Sequence, residues 1–498
     1  MLEHYLNALL TILHPINFLV LFLGSLWGIV AGALPGISSS MAVVLALPFT
    51  FAMHPVTAFT MLVAIYCGAI TGGSITSILF GIPGEPSAVC TVIEGHAMAR
   101  KGDAAHAMWI AIIASAVGGL FSVMVMMGAT PLIAKFALEF GPPEYFALTM
   151  LGLSVVSGLS GRSVGKGLVS CLFGLFLATV GTDGITAVER FTYGTSVLLG
   201  GIGFVTAMVG FLAASEVFLE AEQPFKEQTG SAEYRGLWVE LPKWAEWRTN
   251  FFNLTRSSVL GTIVGALPGA GATIASFLAY GEAARSSKEP EKFGAGAVDG
   301  LIAAEAANNA STGGSLTTLL ALGIPGSNTT AMLLAAFLIH GLQAGPLLLV
   351  QRPDVVYGIF IAALFANLVM IITMVIGIRV FLQLNRLPYS VFVSVIILLC
   401  VVGAFGVNNS VDDLYVMFAF GVLGYLMKKF EYPVAPAVLG LVLGDLAELS
   451  FRRSLLLSLG DLSIFVTRPL SVILLVLAAA SLIYPLLRRR PGIPTEGV

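Results

Sequence analysis

Charge is what this chain has least of. Of its 498 residues 11% are charged and 57% are apolar, whereas soluble domains carry about 25% charged residues. With a formal net charge of −3 and no long basic tract, nucleic acid is not an expected partner. Cysteine is scarce too. Cys67, Cys90, Cys171 and Cys400 lie in apolar stretches without metal-ligand spacing, so they read as small buried hydrophobes. His-Glu-x-x-His, Cys-x-x-Cys and Walker patterns are missing, and Gly294-Ala295-Gly296 has no strand before it; zinc hydrolysis, thiol redox chemistry, ATP hydrolysis and dinucleotide binding lose their usual signatures. Gly158-Leu159-Ser160-Gly161 fits the short serine signature of intramembrane proteases, but a serine nucleophile needs a base. His54, His96, His106 and His340 fall in expected loops or at segment ends. The chain is therefore not expected to be an enzyme. The first residues have no basic region ahead of their apolar run, so no cleaved leader is expected.

What remains is apolar sequence, with a mean hydropathy of +0.92. A bilayer core of ~30 Å takes ~20 apolar residues per helix. The fold class is thus an all-α polytopic membrane protein of roughly ten to twelve membrane segments. Residues 1–16 look interfacial, and 17–53 form one apolar stretch interrupted at Gly32-Ala33-Leu34-Pro35-Gly36. The run 55–71 leads into a break at Gly81-Ile82-Pro83-Gly84, followed by Glu94, His96, Arg100, Lys101 and Asp103. Further apolar runs cover about 104–137, 143–160, 167–181 and 195–219. Residues 220–255 are polar, with Trp238, Trp244 and Trp247 among mixed charges, a composition suited to the headgroup region.

The second half opens like the first. Gly265-Ala266-Leu267-Pro268-Gly269 repeats residues 32–36 letter for letter, and Gly323-Ile324-Pro325-Gly326 repeats 81–84. Pro143-Glu144-Tyr145 and Pro388-Tyr389 form a weaker third pair, each opening a run that holds Val-Val. Three matches in one order mark an internal duplication. The expected divisions are 1–219 for the first repeat, 220–255 for a connecting arm, 256–465 for the second repeat and 466–498 for an extra membrane helix and tail. Lys and Arg counts then set orientation. In the first copy the loop after Leu-Pro-Gly is free of cations and the loop after Ile-Pro-Gly carries Arg100 and Lys101. In the second copy Arg285, Lys288 and Lys292 follow Leu-Pro-Gly, and residues 339–351 have no cation. Equivalent loops face opposite sides, so the expectation is an inverted-topology repeat, as in secondary transporters. Loop parity favours re-entrant helical hairpins at the Pro-Gly breaks over full crossings broken midway. Arg162, Lys166, Lys428, Lys429 and Arg488-Arg489-Arg490 fit the cytoplasm, which places the C-terminus there; Arg452 and Arg453 do not fit.

Broken helices leave backbone groups without partners, which a bilayer tolerates only where protein or water supplies them. Around the four breaks stand hydroxyls, amides and bare backbone: Ser38, Ser39, Ser40, Ser74, Thr76, Thr312, Ser315, Thr317, Ser327, Asn328, Thr329 and Thr330, with Asn308 and Asn309 just upstream. No Lys or Arg lies in these tips. A bound anion would be held by neutral donors and helix N-termini, and carbonyl oxygens suit a hard cation such as Na⁺. The bland alternative is that Ser and Thr bond back to their own helices. Glu85 either caps the next helix or meets a coupling ion. Glu305, Asp299, Asp183 and Asp445 sit near segment ends, where acids are functional or interfacial.

These motifs carry a resemblance. Gly-Ala-Leu-Pro-Gly, then Tyr66-x-Gly68-x-x-x-Gly72-Gly73-Ser74, Gly-Ile-Pro-Gly-Glu and Glu94-Gly95-His96-x-Met98-x-x-Lys101-Gly102 are similar to the TctA family, the large membrane subunit of tripartite tricarboxylate transporters, across almost the whole chain. Where Glu94 stands the family often has Asp, which keeps the charge. The resemblance implies a bacterial inner-membrane importer of small carboxylates such as citrate, driven by Na⁺ or H⁺ as coupling ion, with no other cofactor. It also implies a small TctB-type membrane subunit and a periplasmic TctC-type binding protein as partners. Under it the signature stretches Gly32–Ser40, Gly72–Glu85, Gly265–Thr273 and Asn308–Asn328 form the transport site. The expected substrate-binding residues are Pro35, Gly36, Ser38, Ser39, Ser40, Gly73, Ser74, Thr76, Pro83, Gly84, Pro268, Gly269, Asn308, Asn309, Thr312, Ser315, Pro325, Gly326, Ser327 and Asn328. Glu85, Thr317 and Thr273 are the coupling-ion candidates. The expected mechanism is elevator-like alternating access, with 104–137, 355–382 and the tryptophan arm in the scaffold. The rival readings are a channel with a broken-helix filter and an intramembrane enzyme using Ser160.

Overall fold

Proline and glycine decide where the helices of this chain stop. The helix Pro55–Phe80 ends at Gly81 with φ +71°, and Val298–Leu322 ends at Gly323 with φ +76°. A left-handed residue at that place closes the last turn, and glycine adopts it without a side-chain penalty. Pro83 and Pro325 follow within two residues, where a helix cannot resume. The other two breaks separate Pro15–Ala33 from Ser39–Thr50 and Trp244–Ala266 from Gly271–Ser286. Both copies thus run as long helix, break, short helix, long helix, break, and the second closes with Asn328–Ile339. In the computed structural model of the protein, residues 2–34, 37–159, 163–222, 242–269, 271–384 and 389–487 are described.

Contacts divide the chain into two units, each drawing one or more stretches from each half. The larger takes Met1–Leu138 and Val205–Tyr425; the smaller takes Glu139–Phe204 and Leu426–Val498. In the larger unit Pro55–Phe80 and Val298–Leu322 are buried along nearly their whole length. Glycine makes this possible. A Cβ on Gly32 would stand 2.0 Å from the Ala69 carbonyl oxygen, and one on Gly72 2.3 Å from that of Ile29. In the second copy a Cβ on Gly265 would meet the Ser311 oxygen at 2.2 Å and one on Gly314 the Thr262 oxygen at 2.1 Å. Small residues four apart let helix backbones touch, and in lipid such contact drives packing. Gly32 and Gly265, the same position of the repeated motif, do the same work in each copy.

Among the described residues, five helices are long and apolar enough to cross a membrane: Pro15–Ala33, Pro55–Phe80, Ala104–Ala137, Pro353–Ile378 and Val434–Leu457. Several further apolar helices of 10–17 residues include Ser39–Thr50 and Asn328–Ile339. These two are too short for a straight crossing at 1.5 Å per residue.

One expectation needs amendment. The runs 104–137 and 355–382 were expected in a scaffold separate from the tips. Instead Ala104–Ala137 packs on Val298–Leu322, and Pro353–Leu384 on Pro55–Phe80, inside the tip-bearing unit. Gly118 explains the first contact, since a Cβ there would lie 2.2 Å from the Ala306 oxygen. In the described part of the tryptophan arm, Trp244 and Trp247 open the helix Trp244–Ala266, which runs unbroken into the Gly-Ala-Leu-Pro-Gly motif. Trp238 lies outside the described residues. The apolar run 195–219 becomes regularly helical only from Phe204.

In the smaller unit a two-residue ribbon, Gly181–Thr182 against Glu189–Arg190, is the exception to an otherwise helical fold among the described residues. It accounts for Arg452, whose position conflicted with the charge count. Arg452 lies on Val434–Leu457 and pairs with Asp183 and, at 3.1 Å, with Glu448. Arg190 bonds Glu448 at 2.7 Å. Two cations and two acids neutralise one another, so Arg452 carries no free charge to be counted. The backbone N–H groups of Thr186 and Ile185, together with Arg452, hold the Asp183 carboxyl well below the usual carboxylate range. These four groups line, with Asp445 and the glycine-bearing stretch 199–202, a cavity of about 490 Å³.

Candidate functional site

The four breaks meet. Ser38 caps the helix Ser39–Thr50, accepting from the Met41 N–H, and its hydroxyl also bonds that of Ser40 at 2.9 Å. The next residue reaches outward. The Ser39 N–H donates to Glu85 at 2.6 Å and its hydroxyl bonds the other Glu85 oxygen at 3.1 Å. The same hydroxyl lies 2.8 Å from that of Thr329 in the second copy. Ser327 forms a capping box with Thr330 and bonds Tyr66 of the first copy at 3.2 Å. The Gly269 N–H donates to the Gly326 oxygen at 3.0 Å. One hydrogen-bonded network therefore ties the break before Ser39, the Gly81–Glu85 turn, the Leu267–Gly271 break and the Ile324–Ser327 turn.

Close packing holds the network in place. A Cβ on Gly84 would lie 2.3 Å from the Gly32 oxygen and 2.6 Å from the Thr76 hydroxyl; one on Gly326 would lie 2.5 Å from the Gly265 oxygen. Gly84 and Gly326 are matching residues, and each rests on the matching glycine of its own copy. Ser315 adds a hydroxyl bond of 2.8 Å to the Gly265 oxygen, and Gly73 packs against Glu85.

The remaining expected residues divide by what their polar atoms do. Thr312 and Thr317 bond back to the carbonyls of Asn309 and Gly313 on their own helix. Asn309 accepts from Thr71 at 2.7 Å. Ser74 donates to Glu305 at 2.7 Å. Pro325 is buried, Pro83, Pro268 and Thr273 are half-buried, and Asn328 is exposed. Pro35 and Gly36 lie outside the described residues, as does Ser160.

Among the buried polar groups of the described residues without a hydrogen-bond partner, the Thr76 hydroxyl, the Ser87 hydroxyl and both amide atoms of Asn308 lie on or next to the signature stretches. An unpaired buried amide costs about 1–3 kcal/mol, so a fold that keeps one has a use for it. Thr76 touches the Gly84 turn, and Asn308 sits one helical turn before Ser311, against which Gly265 packs. Neutral polar groups of this kind suit an anion whose charge is spread over several oxygens.

A second cluster lies beside this network, in which Glu305 and Ser74 were marked by the sequence and Thr91 and Ser115 were not. Glu305 is fully buried and accepts hydroxyl bonds from Ser74, Thr91 and Ser115. Ser115 lies inside the unbroken apolar helix Ala104–Ala137, and nothing local marks it. Glu94, read as part of a charged patch, is buried and accepts from the N–H groups of Gly294, Gly296 and Ala297 at 2.6–2.7 Å, and from the Tyr280 hydroxyl. It caps the start of Val298–Leu322 from the other copy, and the signal available was an acid opposite a helix N-terminus.

Comparison with known proteins agrees with the motifs. Residues 18–439 match the model of the tripartite tricarboxylate transporter TctA family. A protein of Agrobacterium vitis, described as an uncharacterized 52.8 kDa protein in the TAR-I ttuC' 3' region, is 37% identical over 481 residues, covering 96% of this chain and 94% of its own length. A second from that organism, described as an uncharacterized protein in the TAR-II ttuC' 3' region, is 35% identical over 227 residues, 46% of this chain and 94% of its own. No solved structure matches.

Proposed function

The chain belongs to the TctA family of tripartite tricarboxylate transporters, and from that premise we propose that it is the transport core of an importer of small carboxylates driven by an ion gradient. The observation that carries the reading is the hydrogen-bonded junction of the four breaks, in which Ser39 holds Glu85 of its own copy and Thr329 of the other. Broken helices joined across two copies are how secondary transporters build a midplane site. The absence of Lys and Arg from the tips and the unpaired amide of Asn308 favour an anion held by neutral donors. The substrate class is tricarboxylates or dicarboxylates, with citrate as the first candidate.

The two copies have opposite orientation in this reading, with the breaks as re-entrant hairpins; loop charges and the shortness of Ser39–Thr50 and Asn328–Ile339 support that. The protein resides in the bacterial inner membrane with a cytoplasmic C-terminus. It works with a TctB-type subunit and receives substrate from a periplasmic TctC-type protein. Alternating access is elevator-like, and the moving body includes Ala104–Ala137 and Pro353–Leu384, since both pack on the tip-bearing helices.

The test is uptake by the full complex in proteoliposomes. Labelled citrate, isocitrate, malate, succinate and benzoate are offered under separate Na⁺ and pH gradients. Accumulation of at least one carboxylate against its gradient is expected. Downhill equilibration alone would identify a channel, and no uptake of any acid would overturn the reading.

A further inference from the structure

We propose that Glu305 is the proton-binding group that couples transport to a pH gradient, an assignment that rests on the importer reading above. The carboxyl is fully buried in Val298–Leu322. Its Oε1 accepts from the hydroxyls of Ser74, at 2.7 Å, and Thr91; its Oε2 accepts from Ser115 at 2.7 Å. Four stretches of chain meet on it: Pro55–Phe80, Val89–Thr91 and Ala104–Ala137 of the first copy and Val298–Leu322 of the second. Thr91 directly precedes a π-helical turn, Val92–His96, a local widening common at functional sites.

Of the other charged groups on these elements, Lys135 is exposed near the end of Ala104–Ala137 and Asp299 is half-buried in the first turn of Val298–Leu322, and the groups beside them are engaged elsewhere. Glu85 is held by Ser39, Glu94 by the Gly294–Ala297 stretch and Tyr280, and His106 by Glu246 at 3.4 Å. Cys67 and Tyr66 lie two turns or more before Ser74 on Pro55–Phe80. The Cys90 thiol, next to Thr91, is the titratable side chain that interacts electrostatically with Glu305. Among the described residues no Lys, Arg or His pairs with it.

Comparison with Glu94 shows why Glu305 is suited to gain and lose a proton. Three of the four donors to Glu94 are backbone N–H groups, which cannot accept, so a proton on Glu94 has the Tyr280 hydroxyl as its one acceptor among them and faces the N–H groups elsewhere. Every donor to Glu305 is a hydroxyl, which donates or accepts as it rotates. The carboxylate takes three hydrogen bonds. The carboxylic acid keeps partners too, its O–H donating to Ser115 while that hydroxyl turns away. A helical serine hydroxyl that turns away can bond back to its own helix, and the neutral state removes the cost of an unpaired charge in the bilayer. The proton-bound state is legible at the breaks: Ser74 adjoins Gly73, which packs on Glu85, which holds Ser39.

The experiment uses the full complex in proteoliposomes, with labelled citrate and interior pyranine, and the other four acids of the panel in place of citrate where wild type prefers them. Wild type is expected to accumulate substrate under an inward pH gradient and to acidify the interior. Glu305→Gln is expected to lose accumulation at least tenfold yet retain substrate exchange at equal pH on both sides. Wild-type accumulation by Glu305→Gln overturns the proposal. So does uptake that follows the Na⁺ gradient without acidification, an outcome that leaves carboxylate import standing. If Glu305→Gln loses exchange as well, Ser115→Ala decides. Removing one donor to the carboxylate is expected to move the pH of half-maximal uptake upward by about one unit, and an unmoved midpoint overturns the assignment. A wild type that takes up no carboxylate fails the importer reading itself.

Discussion

Gly326→Ala tests the junction most directly. A methyl at Gly326 would stand 2.5 Å from the Gly265 oxygen and 2.8 Å from the Ser315 Cα. Both are backbone atoms, so no side chain can swing aside. Since ordinary contacts begin near 3.4 Å, the turn has to retreat by most of an ångström. Overpacking of this kind costs about 1–3 kcal/mol, and retreat stretches the 3.0 Å bond from the Gly269 N–H, worth about 1 kcal/mol. A chain with a stability of about 5–15 kcal/mol survives that loss and still inserts. Transport does not, because a shift near 1 Å in a positioned site costs about a hundredfold in rate. The assay pairs uptake per inserted molecule with thermal unfolding in detergent. Gly128→Ala is the control: nothing lies within 4 Å of its Cβ, and Gly128 is on an exposed helical face, so both readouts stay at wild-type values. Normal uptake by Gly326→Ala at normal expression would refute the idea that the close approach shapes the site.

Three further outcomes follow from the same contacts. Asn308→Ala should abolish uptake while changing stability by no more than about 1 kcal/mol, because its amide has no partner to lose; a large drop in thermal stability with uptake intact would reverse that assignment. Glu94→Ala should destabilise by about 3 kcal/mol or more, since charged hydrogen bonds are worth about 1.5–3 kcal/mol each, and Glu94→Asp should recover most of the loss; thermal unfolding reads both. Asp183 has a depressed pKa, so its hold on the ribbon is complete above the ordinary value of 3.8 and fades as pH falls below it. Hydrogen exchange at residues 181–190 should rise in wild type on acidification through that range and be high at neutral pH in Asp183→Asn, and equal protection in both proteins at neutral pH would count against the attachment.

The breaks were legible in the sequence because Pro and Gly act on their own residue and its neighbours. Ser38 and Ser327 were legible for the same reason, as hydroxyls at helix starts. The hydroxyls inside helices were not. Ser74, Thr312 and Thr317 look alike in sequence, yet Ser74 reaches Glu305 while Thr312 and Thr317 bond back to their own helix. That choice depends on which neighbour stands opposite, and the neighbour is more than a hundred residues away. Distance in sequence also hid the cap that Glu94 supplies to the other copy, and the engagement of Arg452 by Asp183.

The amino-acid order alone determined that the chain is a helical membrane protein, where its helices break, and that its two halves share a plan. These follow from short-range causes: apolar run length, the missing N–H of proline and the freedom of glycine. Only the tertiary structure decided that the breaks join through Ser39, Glu85 and Thr329, and that one carboxyl stands buried among three hydroxyls. Those pairings exist because glycine-lined helices approach until backbones touch, and the side chains brought opposite one another are set by packing across the whole unit.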